Sequence, residues 1–375
     1  MIYLNNAATS FPKPPEVLER IRAVLSEPAF CLGRAVGNGP DILMDCRKKL
    51  ARLLSASDPT RIILTPGTTY SLNLAIQGAC REGGVLTTAL EHNSVLRPLE
   101  HLRRTSGLEV EVLSYRESLD PESYKRRWKP SIRVLAISSA SNVNGAMPPL
   151  EAIADLCRER ELTLIMDAAQ GAGSLPIDVK KLPPKCLVAL AGHKGLYGPQ
   201  GTGALYLGEG IDYKTLRPLI FGGTGVNSES PVQPLELPLR YESGTMNLPG
   251  FAGLSAGLDF LFERGIGSIA LHKDHLIERL TEGLREIPGL SILYPPHAHN
   301  PTGVLAFTLE EHSPTEIGDR LYEAGIIVRA GLHCAPLIHR DLGCPGGSVR
   351  LSVGIFNREE EIDLALEAIR AIRSS

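Results

Sequence analysis

The sequence lacks the long apolar and basic runs that are typical of membrane and nucleic-acid-binding proteins. No apolar stretch approaches the roughly 20 residues of a membrane-spanning helix. No run of Lys or Arg is present and the net charge is −3, so we expect no nucleic-acid partner and no membrane partner. The opening Met1-Ile-Tyr-Leu-Asn-Asn does not have the basic and then apolar pattern of a secretory signal peptide. We therefore expect a cytoplasmic location.

Common metal and nucleotide motifs are also missing. The seven cysteines form an odd and widely spread set without a Cys-x-x-Cys pair, which disfavours a disulfide framework and a structural zinc site. We expect no bound metal. The chain has neither the Gly-x-x-x-x-Gly-Lys of a phosphate-binding loop nor a Gly-x-Gly-x-x-Gly after its first strand. A dinucleotide-binding enzyme is therefore disfavoured.

What the chain does have is a regular alternation of short β-rich runs and amphipathic segments. Strand-like runs at 61–65, 84–88 and 162–167 are separated by helix-like segments such as 149–161. The alternation predicts a largely parallel sheet with helices on both faces and ligands at the carboxyl ends of the strands. A Pro/Gly/Ser-rich region interrupts the pattern, and the rest of the chain predicts a long helix at 251–287, strands at 303–308, 326–329 and 348–352, and a final helix at 358–372.

Chemically useful side chains follow several of these strands. In Thr65-Pro-Gly-Thr-Thr, Gly67 and Thr68 open a helix whose free N–H groups suit an anion. Asp167 ends an apolar run, and Lys194 follows another, although lysine is costly to bury. Taken singly, Thr68 and Asp167 are equally typical of ordinary helix caps. Together, an amine, a carboxylate and an anion-binding helix start are what pyridoxal 5'-phosphate needs, and His92 is a candidate for stacking on its ring.

A fourth group of residues lies near the end of the chain. Cys334 stands in a glycine-bearing turn after a strand, with Arg329 before it and His333 beside it. Positive charge from Arg329 or His333 would favour the thiolate of Cys334. The guanidinium of Arg350 suits a substrate carboxylate. Taken alone, the same residues are typical of a surface loop with a free cysteine.

The motifs resemble those of the class V aminotransferase family, and within it the group II (SUF-type) cysteine desulfurases and selenocysteine lyases. The resemblance covers essentially the whole chain. It rests on short motifs in the family's order, which are Gly67-Thr-Thr, Glu91-His92, Ser141-Asn-Val-Asn-Gly145, Asp167-Ala-Ala-Gln170, Gly192-His-Lys194, Gly198-Pro-Gln-Gly201, Arg240-Tyr-Glu-Ser-Gly-Thr245 and Arg329-Ala-Gly-Leu-His-Cys334.

The resemblance implies an α/β protein with the fold-type I architecture of pyridoxal-phosphate-dependent transferases. In that architecture a large domain contains a seven-stranded, mostly parallel sheet, and a smaller C-terminal α/β domain follows. The expected large, cofactor-binding domain is 15–248, and the small domain, made of 1–14 and 249–375, carries the cysteine loop. The resemblance also implies a homodimer.

The resemblance further assigns roles to the site residues. Lys194 would form a Schiff base with pyridoxal 5'-phosphate and Asp167 would bind its pyridine nitrogen, while His92 would stack on the ring. Thr68 and His193 would hold the phosphate, with Gly67 beside them and Thr224 reaching in from the partner subunit. Gln170 and Asn142 would contact the ring oxygen or the substrate. Arg350 would bind the substrate carboxylate, with Asn142 and Arg329 as further substrate contacts. Lys194, Cys334 and His92 would be catalytic.

The implied reaction converts L-cysteine to L-alanine and leaves the sulfur on Cys334 as a persulfide, for transfer to an unidentified acceptor protein. Selenocysteine lyase, or another pyridoxal-phosphate-dependent β-lyase or aminotransferase, is the alternative, and a non-catalytic sulfur carrier or scaffold is a second one. Two positions depart from the family's pattern. Ala191 stands where relatives usually have a phosphate-binding Ser or Thr, and Leu332 replaces a frequent His.

Overall fold

A computed structural model describes residues 1–26, 41–226, 229–293 and 299–373. Its strands are β1 (Ile2–Tyr3), β2 (Ile62–Thr65), β3 (Gly84–Thr88), β4 (Val110–Leu113), β5 (Ile132–Ser138), β6 (Thr163–Asp167), β7 (Cys186–Ala191), β8 (Gly203–Leu207), β9 (Leu290–Ile292), β10 (Val304–Leu309), β11 (Ile326–Ile327), β12 (Arg329–Gly331) and β13 (Ser348–Ser352). Its helices are α1 (Pro15–Ser26), α2 (Ile42–Leu54), α3 (Thr68–Ala79), α4 (Asn93–Ser106), α5 (Pro121–Arg127), α6 (Leu150–Glu159), α7 (Leu248–Arg264), α8 (Ile266–Arg285), α9 (Pro314–Glu323), α10 (Pro336–Asp341) and α11 (Glu359–Arg373).

The largest sheet has seven strands in the order β2-β8-β7-β6-β5-β3-β4. Strands β3 to β7 are parallel to one another, and β8 runs antiparallel to both β2 and β7. Every residue of β2, β7 and β8 is buried, because apolar clusters cover both faces of this sheet. The predicted α/β fold with a seven-stranded, mostly parallel sheet is confirmed.

The C-terminal part forms a second, antiparallel sheet in the order β12-β13-β10-β9, and residues of α8, α9 and α11 contribute to its separate apolar core. The predicted single strand at 326–329 is wrong, because β11 pairs with β1 from the N-terminus while β12 pairs with β13. The predicted helix at 251–287 is two helices. They are divided at Gly265, whose φ of 77° few L side chains adopt.

Helix α7 packs in the core of the large sheet, where Phe251, Leu254 and Leu258 are buried. The division of the chain into a large domain at 15–248 and a small domain at 1–14 and 249–375 remains a proposal. Among the described residues, no helix combines the length and the apolar character that crossing a membrane requires.

Candidate active site

The carboxyl ends of the central strands of the large sheet meet β12 and β13 around one cavity of about 600 Å³. Most of the residues that the sequence singled out line it: Gly67, Thr68, His92, Asn142, Asp167, Gln170, His193, Lys194, Arg329, Cys334 and Arg350. Thr224 does not line this cavity. The fold therefore brings strand-end residues from distant parts of the sequence into a single site.

Asp167 and Lys194 come from adjacent parallel strands. Asp167 is the last residue of β6, and Lys194 follows the end of β7. A Cβ atom on Gly195 would lie 2.3 Å from the carbonyl oxygen of Ala172. The glycine directly after Lys194 therefore allows the two strand-end loops to pass in backbone contact, which fixes the lysine next to the carboxylate.

The electrostatics of this pair are set first by burial. Burial, together with Arg350, lowers the pKa of Lys194 to about 8, although Asp167 acts in the opposite direction. Burial raises the pKa of Asp167, while the N–H of Ala169 (2.9 Å from Oδ1) and Lys194 favour its ionised form. A lysine with a pKa near 8 is partly neutral at physiological pH, which is the form that attacks a carbonyl.

One end of the cavity is formed by the N-terminus of α3, where Gly67 is the cap residue and Thr68 begins the helix. The hydroxyl oxygen of Thr68 and Nδ1 of His193 are buried and have no hydrogen-bond partner. Buried polar atoms are normally paired, so these two atoms point to a ligand. Together with the free N–H groups of the helix start, they suit an anion such as phosphate.

His92 is the cap residue of α4, and its Nδ1 accepts a hydrogen bond from the backbone N–H of Ser94 (3.0 Å). Burial and the charges of Lys194 and Arg350 lower its pKa to about 4. The ring is therefore neutral at physiological pH, with its hydrogen on Nε2. A neutral imidazole fixed at a helix start suits stacking against a planar ligand.

The opposite wall of the cavity comes from the small sheet, where Arg329 on β12 lies directly opposite Arg350 on β13. Arg350 is buried and donates hydrogen bonds to the carbonyl of Asn142 (2.8 Å) and to Oδ1 of Asn5 (3.2 Å). Its Nε has no partner. Burial and Arg329 lower its pKa to about 10, so it remains charged at neutral pH. Arg329 is exposed.

Cys334 is exposed, whereas Cys46, Cys80, Cys157 and Cys186 are buried. Its turn is held in place from the large sheet: the N–H of Asn93 donates to the carbonyl of Cys334 (2.7 Å), and the side chain of Asn142 donates to that of His333 (2.8 Å). Both turn residues have positive φ, 50° for His333 and 57° for Cys334, an uncommon conformation for side chains of this size.

The suggestion that His333 supplies positive charge is wrong. Burial, followed by the charge of Arg350, lowers its pKa to about 2, so the ring is neutral. The positive charge near Cys334 therefore comes from the two arginines of this wall.

Sequence reasoning missed two contributions from the N-terminal segment. Asn5 binds Arg350, as described above, and Lys13 donates to the carbonyl of His193 (2.8 Å). Burial lowers the pKa of Lys13 to about 8. The polar Asn-Asn pair after an apolar start is a local signal for Asn5. Lys13 has no such signal, because only tertiary packing brings it to the site.

Gln170 and Ala191 are two further positions that the sequence singled out. Gln170 lines the cavity, and its amide donates to the carbonyl of Ala7 (3.0 Å), which ties the N-terminal segment to the large sheet. Ala191 is buried and pairs with Gly203 across β7 and β8. Its side chain offers no donor to a phosphate. Thr68, His193 and the start of α3 are left as the polar groups at that end.

The α/β fold and the strand-end lysine and aspartate in one cavity agree with the resemblance to the class V aminotransferases. The family model "Aminotransferase class-V" matches residues 2–365. The chain belongs to this family. A probable cysteine desulfurase of Pyrococcus abyssi is 32% identical over 392 residues, which cover 100% of this chain and 96% of that protein.

Solved structures give the same result. The apo structure of a cysteine desulfurase from Thermococcus onnurineus matches with a TM-score of 0.89 and 30% identity, over 100% of this chain and 94% of that one. The cysteine desulfurase CsdA from Escherichia coli matches with a TM-score of 0.88 and 29% identity, over 99% and 94% of the two chains. Proteins of this family generally depend on pyridoxal phosphate.

Proposed function

We propose that this protein is a pyridoxal-phosphate-dependent cysteine desulfurase, which converts L-cysteine to L-alanine and receives the sulfur on Cys334. The observation that carries the proposal is the exposed thiol of Cys334 in the same cavity as Lys194 and Asp167. The relatives named above are cysteine desulfurases, which supports the same chemistry here. Assignment to the SUF-type group is part of this proposal.

The cavity fits the cofactor. Of the buried side-chain polar atoms without a partner in the described part of the chain, all but Trp128 Nε1 belong to residues that line this cavity. Lys194 would hold the aldehyde carbon and Asp167 the protonated pyridine nitrogen. Around them, His92 would stack on the ring, Gln170 and Asn142 would face its oxygen, and Gly67, Thr68 and His193 would bind the phosphate. When bound, pyridoxal phosphate supplies a carbonyl for amines and a ring that withdraws electrons from the α-carbon.

The chain's own residues then have distinct tasks. Arg350, buried and charged, would bind the substrate carboxylate, with the exposed Arg329 nearby. Lys194, with its pKa near 8, would accept and return a proton at its Nζ near neutral pH. Cys334, in the same cavity as Arg329 and Arg350, would form the new bond to the substrate sulfur as its thiolate, which is the nucleophilic form of cysteine.

A homodimer belongs to the same proposal. Thr224 lies outside this chain's cavity, within a segment that exposes several large apolar side chains, which are Ile220, Phe221, Val226, Val232 and Leu235. Such a concentration of exposed apolar groups is typical of an interface. In a dimer this segment would bring Thr224 to the phosphate end of the other copy's cavity.

Absorption spectroscopy of the purified protein tests the cofactor and the substrate together. We expect the visible band of a lysine-bound pyridoxal phosphate, a change of this band on adding L-cysteine, and release of L-alanine. A protein without the band, or one that turns over selenocysteine but not cysteine, would contradict the desulfurase assignment. Sedimentation of the same sample measures the oligomeric state.

A further inference from the structure

Behind the Cys334 turn, three buried side chains form a hydrogen-bonded chain. Nε2 of His333 lies 3.1 Å from Oγ of Ser348, which lies 3.0 Å from Nε2 of His339. Nδ1 of His339 lies 2.8 Å from the carbonyl oxygen of Ala335. Ser348 and His339 are fully buried and His333 is 7% exposed, so water does not compete for these contacts.

The direction of each hydrogen bond follows from the last contact of this series, between Nδ1 of His339 and the carbonyl oxygen of Ala335. A carbonyl oxygen only accepts, so His339 must carry its hydrogen on Nδ1. Burial lowers the pKa of His339, which is therefore neutral and has a bare Nε2. Ser348 must then donate its hydroxyl hydrogen to His339 and accept from Nε2–H of His333. The second nitrogen of His333, Nδ1, is left without a hydrogen.

Nδ1 of His333 is also a buried atom without a partner, and His333 lines the cavity beside Cys334 and Arg350. We propose that Ser348 and His339 are positioning residues that fix His333 as a hydrogen-bond acceptor for the thiol hydrogen of the bound substrate. The inference rests on the proposed function, because it needs a substrate thiol in this cavity. Arg350 at the carboxylate and Cys334 at the sulfur place that thiol near His333.

An acceptor at this point selects the neutral form of the substrate thiol. A thiolate substrate would repel the attacking thiolate of Cys334, whereas a neutral thiol carries sulfur that can be attacked. In the transfer, Cys334 Sγ forms the S–S bond and the substrate Cβ–S bond breaks with its electron pair on carbon. The hydrogen stays on the transferred sulfur, hydrogen-bonded to His333. The imidazole therefore never needs to be protonated, which agrees with its pKa of about 2.

The first test is the tautomer itself, measured by nitrogen-15 NMR of histidine-labelled protein with its cofactor. The His333 signals are identified by their loss in His333→Asn. We expect a hydrogen on Nε2 and none on Nδ1. In His339→Phe the hydroxyl of Ser348 is free to turn toward His333, and we expect hydrogen on Nδ1. A hydrogen on Nδ1 in the wild-type protein would overturn the proposal.

The second test compares two substrates. In Ser348→Ala and His339→Phe we expect turnover of L-cysteine to fall about fivefold, as for the loss of one hydrogen bond, and Ser348→Thr to restore it. Turnover of selenocysteine should stay within about twofold of the wild-type rate, because a selenol is ionised at neutral pH and has no hydrogen to donate. Equal losses for both substrates would mean a purely structural role and overturn the proposal. Wild-type protein that turns over neither substrate would instead contradict the proposed function.

Discussion

The two walls of the cavity hold their functional groups in different ways. On the large-sheet wall, Asp167 and Lys194 stand at the ends of parallel strands and oppose each other in charge. On the small-sheet wall, Arg329 and Arg350 have the same charge and face each other, next to a turn with two residues at positive φ. In the proposed function, the first wall would therefore bind the cofactor and hold its ring nitrogen protonated. The second wall is built to attract an anion, and it carries the exposed thiol of Cys334.

The largest expected difference between the walls is in cofactor binding after each wall loses its nucleophile, Lys194 on the large-sheet wall or Cys334 on the small-sheet wall. For Lys194→Ala we expect loss of the visible cofactor band and at least about a thousandfold loss of L-cysteine turnover, because in the proposed function the amine both binds the cofactor and transfers the proton. Lys180→Ala, an exposed lysine outside the cavity, is the control. A Lys194→Ala protein that keeps both the band and its turnover would place the reactive amine elsewhere.

On the other wall, Cys334→Ser should separate cofactor binding from sulfur transfer. We expect the cofactor band and its response to L-cysteine to remain, while sulfide release in the presence of a reductant falls about a hundredfold, because a hydroxyl is a poor nucleophile toward sulfur. Cys344→Ser, a half-buried cysteine beyond the same turn, is the matched control. Equal effects of the two substitutions would remove the special role of Cys334.

The two arginines of the small-sheet wall differ in burial, and this difference should appear in KM. Arg350→Lys keeps the charge but loses the two-pronged hydrogen bonding of a buried guanidinium, so we expect KM for L-cysteine to rise about tenfold. Arg329 is exposed, so Arg329→Lys should change KM by less than about twofold. Steady-state kinetics of the two variants measure both effects. A larger rise for Arg329→Lys would reverse the assignment of the carboxylate site.

The sequence predicted the large-sheet wall better than the small-sheet wall. Asp167 and Lys194 follow apolar strand runs, and the rule that ligands bind at the carboxyl ends of parallel strands placed them together. The predicted charge of His333 was wrong, because it depends on burial behind a turn and on Arg350, which comes close to His333 only after folding. The contacts of Asn5 and Lys13 were missed for the same reason. They arise when the N-terminal segment folds back over the end of β7 and against β13.

The smallest expected effect is a loss of unfolding free energy in acid that comes from His92 on the large-sheet wall. The folded protein holds the pKa of His92 at about 4, below its ordinary value of 6.5, because the ring is buried near Lys194 and Arg350. The unfolded chain therefore binds more protons than the folded chain between these values. The stabilisation is fully present above pH 6.5 and is lost as the pH falls toward 4. For one histidine, the difference between a pKa of 6.5 and one of about 4 corresponds to about 3 kcal/mol of unfolding free energy.

Urea unfolding of cofactor-free protein at about pH 7.5 and about pH 4.5 measures this loss. Other groups also titrate in this range, so the informative quantity is the difference between wild type and His92→Asn. We expect the variant to lose less stability on acidification than the wild type, since its side chain takes up no proton on unfolding. An equal loss in both proteins would mean that His92 is not held neutral by its surroundings. The charges of Lys194 and Arg350 would then not act on the large-sheet wall in the way that the geometry indicates.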